Sequence, residues 1–259
     1  MFVIIVHEEM WGNVPLLHIV GEDLKDKQVP VIIFLHGFTS AKEHNLHYAY
    51  NMANKGLRVL LPDAHLHGAR HENLDDVQLS LRFWEIVLTS IEEVRFMHQE
   101  LKERGILAEG NIGLGGTSMG GITTFGCLTA YKWIDAAAIM MGAPGFVQLA
   151  KAQMAQFERR GFELPITAEE KQSLLNALAL FDLTKHPGSL DKRPVYFWHG
   201  QQDTMVPYDP TFNFYKVVKK DYADVPERIE FDSEENAGHS VTRAGMLKSA
   251  EWLARHLNE

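Results

Sequence analysis

A serine with glycine two residues away on each side lies in the segment Gly116-Thr117-Ser118-Met119-Gly120. The segment follows the apolar run Asn111–Leu114 and precedes a helical pattern. In this strand-turn-helix context, the G-x-S-x-G pattern places a serine on a sharp turn with its hydroxyl exposed as a nucleophile. Glycine at the flanking positions removes side chains that would collide in such a turn. A tight turn without a chemical role is the alternative, and the pentapeptide alone does not decide between them.

The glycine-rich stretch 111–121 fails the two phosphate-binding motifs that it partly matches. A dinucleotide fingerprint, G-x-G-x-x-G, fits Gly113 and Gly115 but has Ser118 where the third glycine belongs. A P-loop requires a lysine before its Ser or Thr, and the stretch contains no lysine. We therefore expect no nucleotide cofactor.

A nucleophilic serine needs a histidine to accept its proton and an acid to orient that histidine. When the nucleophile sits on a G-x-S-x-G turn, the partners follow it along the chain in the order acid, then histidine. The histidines after Ser118 are His186, His199, His239 and His256. We predict that His239 is the base, because "NAGHSV" lies between the last predicted strand and the last predicted helix. A solvated loop histidine is the alternative.

The acid is sought in "WHGQQDTMVP", which follows a late predicted strand. The strand is predicted to end at His199, with the side chain of His199 buried. Asp203 lies four residues further along the chain. We predict that Asp203 is the acid. Asp209 is the alternative, although it lies beyond Pro207 and begins the approach to the next helix.

Acyl transfer creates a negatively charged oxygen that two backbone N–H groups must meet. One donor is the N–H of Met119, directly after the candidate nucleophile. The other is expected in the loop after the third predicted strand, "VIIFLHGFTS", where Gly37 lets the backbone approach and Phe38 supplies its N–H. Taken singly, a strand that ends in a glycine turn also explains this loop.

These candidate residues fall at the ends of elements in a regular alternation. Eight short apolar runs, from Phe2–Val6 to Arg228–Phe231, mostly alternate with helical patterns. The alternation predicts a mostly parallel sheet with helices on both faces. Only "HEEMWGN" separates the first two runs, which is too short for a crossover helix, so we expect them to pair antiparallel at the sheet edge.

One connection, residues 143–193, is about fifty residues long, where a crossover needs only a dozen or more. Its helical spacing predicts a small helical cap inserted into a single domain that spans residues 1–259. Two extra helices packed at the sheet edge are the alternative. Its apolar residues could line a substrate pocket or, as the alternative, pack into the core. They are Phe146, Met154, Phe157, Leu174, Leu178 and Phe181.

Composition and charge exclude several classes of partner. The formal net charge of -9 disfavours nucleic acid, because phosphate neutralisation needs a basic face. The lone cysteine, Cys127, cannot form an internal disulfide and fits a reducing compartment. The N-terminal apolar run is too short for a signal peptide, and no run approaches the ~20 residues of a membrane span. We therefore expect a cytoplasmic protein without membrane or nucleic-acid partners.

Histidines cluster in "DAHLHGARHE", which contains His65, His67 and His71, and three more lie upstream at His36, His44 and His47. Such a cluster suggests a zinc site, since His-x-His is a known ligand spacing. No further ligand of clear spacing follows, and Gly and His in a loop after a strand can border a pocket without binding a metal. We predict no metal site.

The chain resembles the α/β-hydrolases from about Val14 to its C-terminus. The segments that carry the likeness are His36-Gly37-Phe38, Leu61-Pro62-Asp63 with His67-Gly68, the Ser118 pentapeptide, Asp203 and Gly238-His239. Within that superfamily, "HGQQDTMVP" and "AGHSVT" resemble the acid and base loops of small bacterial carboxylesterases related to the prolyl-oligopeptidase catalytic domain. The resemblance implies a triad of Ser118, Asp203 and His239, with Phe38 and Met119 as oxyanion donors.

The expectation is therefore a serine carboxylesterase that cleaves small esters through an acyl-enzyme, without a cofactor. The chain lacks the His-Gly-Gly-Gly run of hormone-sensitive-lipase-like esterases, so esters of bulky tertiary alcohols are not implied. Its nucleophile is not cysteine, which argues against dienelactone-type hydrolysis. A peptidase or amidase on the same triad is the alternative, disfavoured by the lack of a preceding propeller domain. A catalytically silent binding module of the same fold is the other alternative.

Overall fold

A computed structural model describes residues 3–162 and 164–258 of the chain, and at its centre lies an eight-stranded sheet. The strands are Ile4–Trp11 (β1), Val14–Gly21 (β2), Val29–Leu35 (β3), Arg58–Pro62 (β4), Leu107–Thr117 (β5), Ala136–Met140 (β6), Val195–Gly200 (β7) and Ile229–Glu234 (β8). They lie in the order β1-β2-β4-β3-β5-β6-β7-β8. β2 pairs antiparallel with β1 and β4, and the other pairs are parallel. The predicted mostly parallel sheet and its antiparallel edge pair are confirmed; Phe2, where the first predicted strand begins, lies outside the described residues.

Helices cover both faces of the sheet, as expected. In the described ranges they are Leu46–Ala53 (α1), Asp76–Leu81 (α2), Phe83–Glu103 (α3), Met119–Ala130 (α4), Phe146–Arg159 (α5), Ala168–Ala179 (α6), Tyr208–Val218 (α7) and Arg243–Leu257 (α8). Buried residues of α1 and α8 form one apolar cluster with the sheet, and those of α3 to α7 form a second. The core is therefore two apolar layers with the sheet between them. No helix in those ranges combines the length and the apolar character needed to cross a membrane.

The sequence of Val77–Arg104 has the spacing of one continuous helix, but the structure has two helices there. α2 begins after Asp75, whose carboxylate caps the helix N-terminus. The helical path breaks at Arg82, with φ -91° and ψ 2°, and resumes as α3. Directly after the break, the Phe83 ring lies 5.6 Å from the ring of Phe38, so α3 begins beside the loop that follows β3.

β5 is longer than the predicted run Asn111–Leu114 and continues to Thr117. Glycine has a low strand propensity, but Gly113 and Gly115 pair here with both β3 and β6. A Cβ atom on Gly113 would lie 2.6 Å from Cδ1 of Ile32, so its absence allows close packing against the neighbouring strand. The strand therefore runs directly into the turn that carries the candidate nucleophile.

Residues 143–193 contain α5 and α6, in the place predicted for an insertion. Phe146 of α5 is fully buried, with its ring 5.1 Å from that of Trp84 in α3. The buried carboxylate of Asp182 accepts a hydrogen bond from the Val147 N–H at 2.9 Å, which ties the segment after α6 to the start of α5. This segment is thus anchored in the core at the beginning of α5, and that it is an insertion into a single domain stays a prediction.

The six apolar residues singled out in the insertion divide into two groups. Phe146, Met154 and Leu178 are buried, which favours core packing over pocket lining for these three. The other three are only partly buried, and they are Phe157, Leu174 and Phe181. That this segment acts as a cap over a substrate stays a prediction.

Candidate active site

Ser118 occupies the turn between β5 and α4 in a backbone conformation that few non-glycine residues adopt, with φ 53° and ψ -114°. Its two flanking glycines lie against backbone atoms. A Cβ atom on Gly116 would lie 2.5 Å from the Gly120 carbonyl carbon, and one on Gly120 would lie 2.2 Å from the Leu35 oxygen. Neither position has room for a side chain, so both glycines are required by the turn that projects the serine.

The structure brings Ser118, His239 and Asp203 together in one hydrogen-bonded chain. Ser118 Oγ donates to His239 Nε2 at 2.8 Å, and His239 Nδ1–H donates to Asp203 Oδ2 at 2.7 Å. An ionised carboxylate only accepts hydrogen bonds, so the contact with Asp203 requires the proton of His239 to be on Nδ1. Nε2 of His239 is then free to accept from Ser118. Asp203 follows β7 and His239 lies between β8 and α8, so the carboxyl ends of three parallel strands supply all three residues.

The carboxylate of Asp203 is fully buried and fully hydrogen-bonded. Its Oδ1 accepts from the N–H groups of Met205 and Val206, each at 2.9 Å. Burial alone would raise the pKa of this carboxyl, but hydrogen bonds from His199, His239 and the Val206 backbone hold the pKa well below its ordinary value. Asp203 is therefore ionised throughout the neutral range. The alternative acid, Asp209, is exposed in the first turn of α7.

His199 makes a contact that sequence reasoning missed. Its side chain is buried in β7, and its Nε2 lies 2.8 Å from the Val206 carbonyl oxygen and 3.3 Å from Asp203 Oδ2. An Nε2–H donates to both oxygens, so His199 contacts Asp203 Oδ2, the same oxygen that accepts from His239. Two histidines therefore contact one carboxylate. The four-residue spacing in "HGQQD" is the only sequence signal for this contact.

The predicted oxyanion donors lie on the two segments nearest to Ser118. Met119 is the first residue of α4, so its N–H has no partner within the helix. In the described residues, no acceptor meets the Phe38 N–H. A Cβ atom on Gly37 would lie 3.5 Å from Cβ of Ser118, so the loop after β3 passes directly beside the serine. Both predicted donors therefore lie on segments next to Ser118, and that their N–H groups stabilise an oxyanion stays a prediction.

Two of the clustered histidines, His36 and His67, accept hydrogen bonds from the backbone. His36 Nε2 accepts from the Ala64 N–H at 3.0 Å, and His67 Nε2 accepts from the Thr39 N–H at 2.9 Å. Burial lowers the pKa of His36 to about 4 and also lowers the pKa of His67. Both rings are therefore neutral near pH 7. No three His, Cys, Asp or Glu side chains in the described part of the chain are arranged to hold a metal ion.

Asp63, in the Leu61-Pro62-Asp63 segment, is a buried structural carboxylate. It accepts from the Lys42 Nζ and the Ala69 N–H, each at 2.9 Å. A Cβ atom on Gly68 would lie 2.0 Å from Asp63 Oδ1, so glycine is required there. These contacts fold the loop after β4 against the loop after β3.

Comparisons with known proteins identify relatives along the whole chain. A model of the prolyl oligopeptidase family matches residues 89–259. "Putative esterase YitV" of Bacillus subtilis is 46% identical, over 97% of this chain and 99% of its own. "Esterase YjfP" of Escherichia coli is 28% identical, over 95% of this chain and 96% of its own. The crystal structure of TT1662 from Thermus thermophilus aligns with a TM-score of 0.77 at 19% identity, covering 99% of both chains.

The sheet order, the helices on both faces and these neighbours define an α/β-hydrolase fold. Because the family model covers more than half of the chain, and a full-length relative is 46% identical, the chain belongs to the prolyl oligopeptidase family. It is a serine hydrolase of that family. The fold and the family that the sequence resembled are both confirmed.

Proposed function

We propose that this protein is a serine carboxylesterase that cleaves small carboxylic esters through an acyl-enzyme on Ser118. The observation that carries the proposal is the hydrogen-bonded chain from Ser118 Oγ through His239 to Asp203, with separations of 2.8 and 2.7 Å. Two full-length relatives named esterases support ester over amide substrates. The proposal includes the cytoplasm as location, which the single buried cysteine, Cys127, fits.

In the first half-reaction, Ser118 Oγ attacks the ester carbonyl carbon while its proton passes to His239 Nε2. The carbonyl oxygen becomes an oxyanion, which the N–H groups of Phe38 and Met119 stabilise. The intermediate collapses, the bond to the alcohol oxygen breaks, and His239 gives its proton to the departing alcohol. Asp203 remains ionised and stabilises the imidazolium while it exists.

In the second half-reaction, water attacks the acyl-enzyme and gives a proton to His239. The same two N–H groups meet the second oxyanion. Collapse releases the carboxylic acid, and Ser118 regains its proton from His239. The cycle consumes only ester and water.

A panel of p-nitrophenyl esters from acetate to decanoate tests the proposal. We expect turnover of short-chain members, and we expect Ser118→Ala to lower kcat by about 10⁴-fold or more. A fluorophosphonate probe should label the wild-type protein and not the S118A variant. No turnover of any ester in the panel would show that the esterase proposal is wrong.

Matched substrates separate the alternatives. An ester and an amide with the same acyl group distinguish an esterase from a peptidase or amidase on the same triad. Faster cleavage of the amide would reassign the substrate class. Absence of both turnover and probe labelling would instead indicate a silent binding module.

A further inference from the structure

The bond between Thr39 and His67 joins the loops that follow β3 and β4, and the first of these passes beside Ser118. The Thr39 N–H donates to His67 Nε2 at 2.9 Å, and His67 Nδ1–H donates to the His65 carbonyl oxygen, also at 2.9 Å. A carbonyl oxygen only accepts hydrogen bonds, so the second contact assigns the proton to Nδ1. The first contact then uses the lone pair on Nε2. His67 is thus held as one neutral tautomer.

Thr39 directly follows the predicted oxyanion donor, Phe38. Its φ of 59° lies in the left-handed region, which costs about 1 kcal/mol or more for a residue other than glycine unless neighbouring contacts hold it. His67 is nearly fully buried, with 3% of its surface exposed, whereas Thr39 is exposed. A rigid buried side chain therefore holds an exposed, strained backbone segment.

His67 also contacts the side chain of Phe38. Their ring centres are 5.3 Å apart at an interplanar angle of 63°, in an edge-to-face arrangement. The hydrogen bond fixes the peptide on the carbonyl side of Phe38, and the ring contact fixes its side chain. Together they restrict the direction of the Phe38 N–H, which is the group offered to the oxyanion.

We propose that His67 is a positioning residue that orients the Phe38 N–H for oxyanion stabilisation. This inference rests on the proposed esterase function. A misplacement of about 1 Å in a catalytic group costs about 10²-fold in rate, and loss of one oxyanion donor costs about 10²–10³-fold. The histidine cluster noted in the sequence thereby gains a role without a metal ion.

The bond requires the neutral imidazole, because a protonated Nε2 would point a hydrogen at the Thr39 N–H. Burial lowers the pKa of His67, which keeps the ring neutral at neutral pH. The titratable groups that face it are Asp63, His65 and His36. Burial is the main cause of the lowered pKa of His67; the hydrogen bond to the His65 carbonyl and the charge of Asp63 oppose it, and the His65 ring favours it.

Two substitutions at His67 separate the hydrogen bond from the rest of the side chain. Glutamine carries its terminal oxygen where histidine carries Nε2, so H67Q keeps an acceptor for Thr39. Asparagine is shorter and reaches only the position of Nδ1, so H67N keeps a donor to the His65 oxygen and loses the Thr39 acceptor. We expect H67N to lower kcat by about 10- to 100-fold with KM within about twofold of wild type. H67Q should stay within about threefold of wild type.

A thionoester provides a readout specific to the oxyanion hole. Sulfur accepts backbone hydrogen bonds poorly, so an enzyme with a well-formed oxyanion hole prefers an oxygen ester to the matched thionoester. H67N should weaken that preference, whereas H67Q and the exposed control His71→Ala should keep it. A general loss of stability would not change this ratio. Thermal melting of each variant establishes that it is folded.

The outcomes distinguish the inference from the proposed function. If the wild-type protein hydrolyses esters but H67N keeps the wild-type kcat and thionoester ratio, the positioning role is wrong. Equal losses in H67Q and H67N would also overturn it, because the acceptor would then be irrelevant. Failure of the wild-type protein itself would instead refute the esterase proposal. If H67N does not fold, His67→Met removes the acceptor at similar length and takes its place, with the same two outcomes.

Discussion

Asp203 shows how one buried residue can set the chemistry of another. Its two oxygens accept hydrogen bonds from four groups. These are the backbone N–H groups of Met205 and Val206 and the rings of His199 and His239. Those bonds keep the carboxylate ionised despite burial, and the ionised form in turn keeps the proton of His239 on Nδ1. The serine then always faces an accepting nitrogen.

Replacing Asp203 by asparagine tests this dependence. The amide NH2 of asparagine would face Nδ1, which favours the opposite tautomer and puts a hydrogen between Nε2 and Ser118. We expect Asp203→Asn to lower kcat by about 10⁴-fold while the protein stays folded. Steady-state kinetics and thermal melting measure the two effects. Asp209→Asn, on the exposed first turn of α7, is the control and should retain wild-type kcat; the reverse pattern would make Asp209 the acid.

At this scale, the sequence predicts which residues meet but not all of their contacts. The order of Ser118, Asp203 and His239 along an alternating chain was enough to expect them at one sheet edge, and the structure brings them together there. The bonds from His199 to Asp203 and from His67 to Thr39 could not be predicted in the same way. They depend on loop conformations, in which a ring meets one backbone group among several within reach.

At the scale of elements, the turn between β5 and α4 depends on space as much as on dihedral angles. The first turn of α4 packs against the end of β3, with the α-carbon of Gly120 facing the Leu35 carbonyl. A side chain there would push the helix away from the strand. The helix start supplies the Met119 N–H, so a displaced helix would also displace a predicted oxyanion donor.

We therefore expect Gly120→Ala to be strongly destabilising. Its Cβ would lie 2.2 Å from a backbone oxygen, which cannot move without shifting the strand, so a loss of about 3 kcal/mol or more in the free energy of unfolding is expected. Gly188→Ala is the matched control, because no atom lies within 4 Å of a Cβ at that position. Urea denaturation of both variants measures the difference. Similar stabilities for the two variants would contradict the packing argument.

Element boundaries were less predictable than element types. Hydrophobic spacing continues across Arg82, so the pattern shows one helix where the chain forms two. β5 includes glycines, which have a low strand propensity, because it pairs with a neighbouring strand on each side. In the insertion, the spacing predicts helices correctly, but it does not distinguish a buried side chain such as Phe146 from one that lines a pocket. In each case tertiary contacts decide.

At the scale of the whole molecule, buried neutral histidines link stability to pH. Burial lowers the pKa of four buried histidines, and they are His18, His36, His67 and His98. In the unfolded chain the pKa of each histidine returns to about 6.5. Between the folded and unfolded values the unfolded state binds more protons, so stability rises with pH through this window and falls on acidification. Burial raises the pKa of Asp135, so this one carboxyl group opposes the trend.

His36 permits the clearest measurement of that linkage, since its surface is 2% exposed and its pKa falls to about 4. Acidification from pH 7.5 to 5 should cost about 2 kcal/mol of unfolding free energy through this residue alone. His36→Gln keeps an acceptor for the Ala64 N–H but does not titrate, so the pH dependence of its urea unfolding should be weaker by that amount. The exposed histidine variant His186→Gln should unfold with the wild-type pH dependence. If H36Q also keeps the full wild-type dependence, the protonation of other groups must account for the acid sensitivity, and His36 is not a source of it.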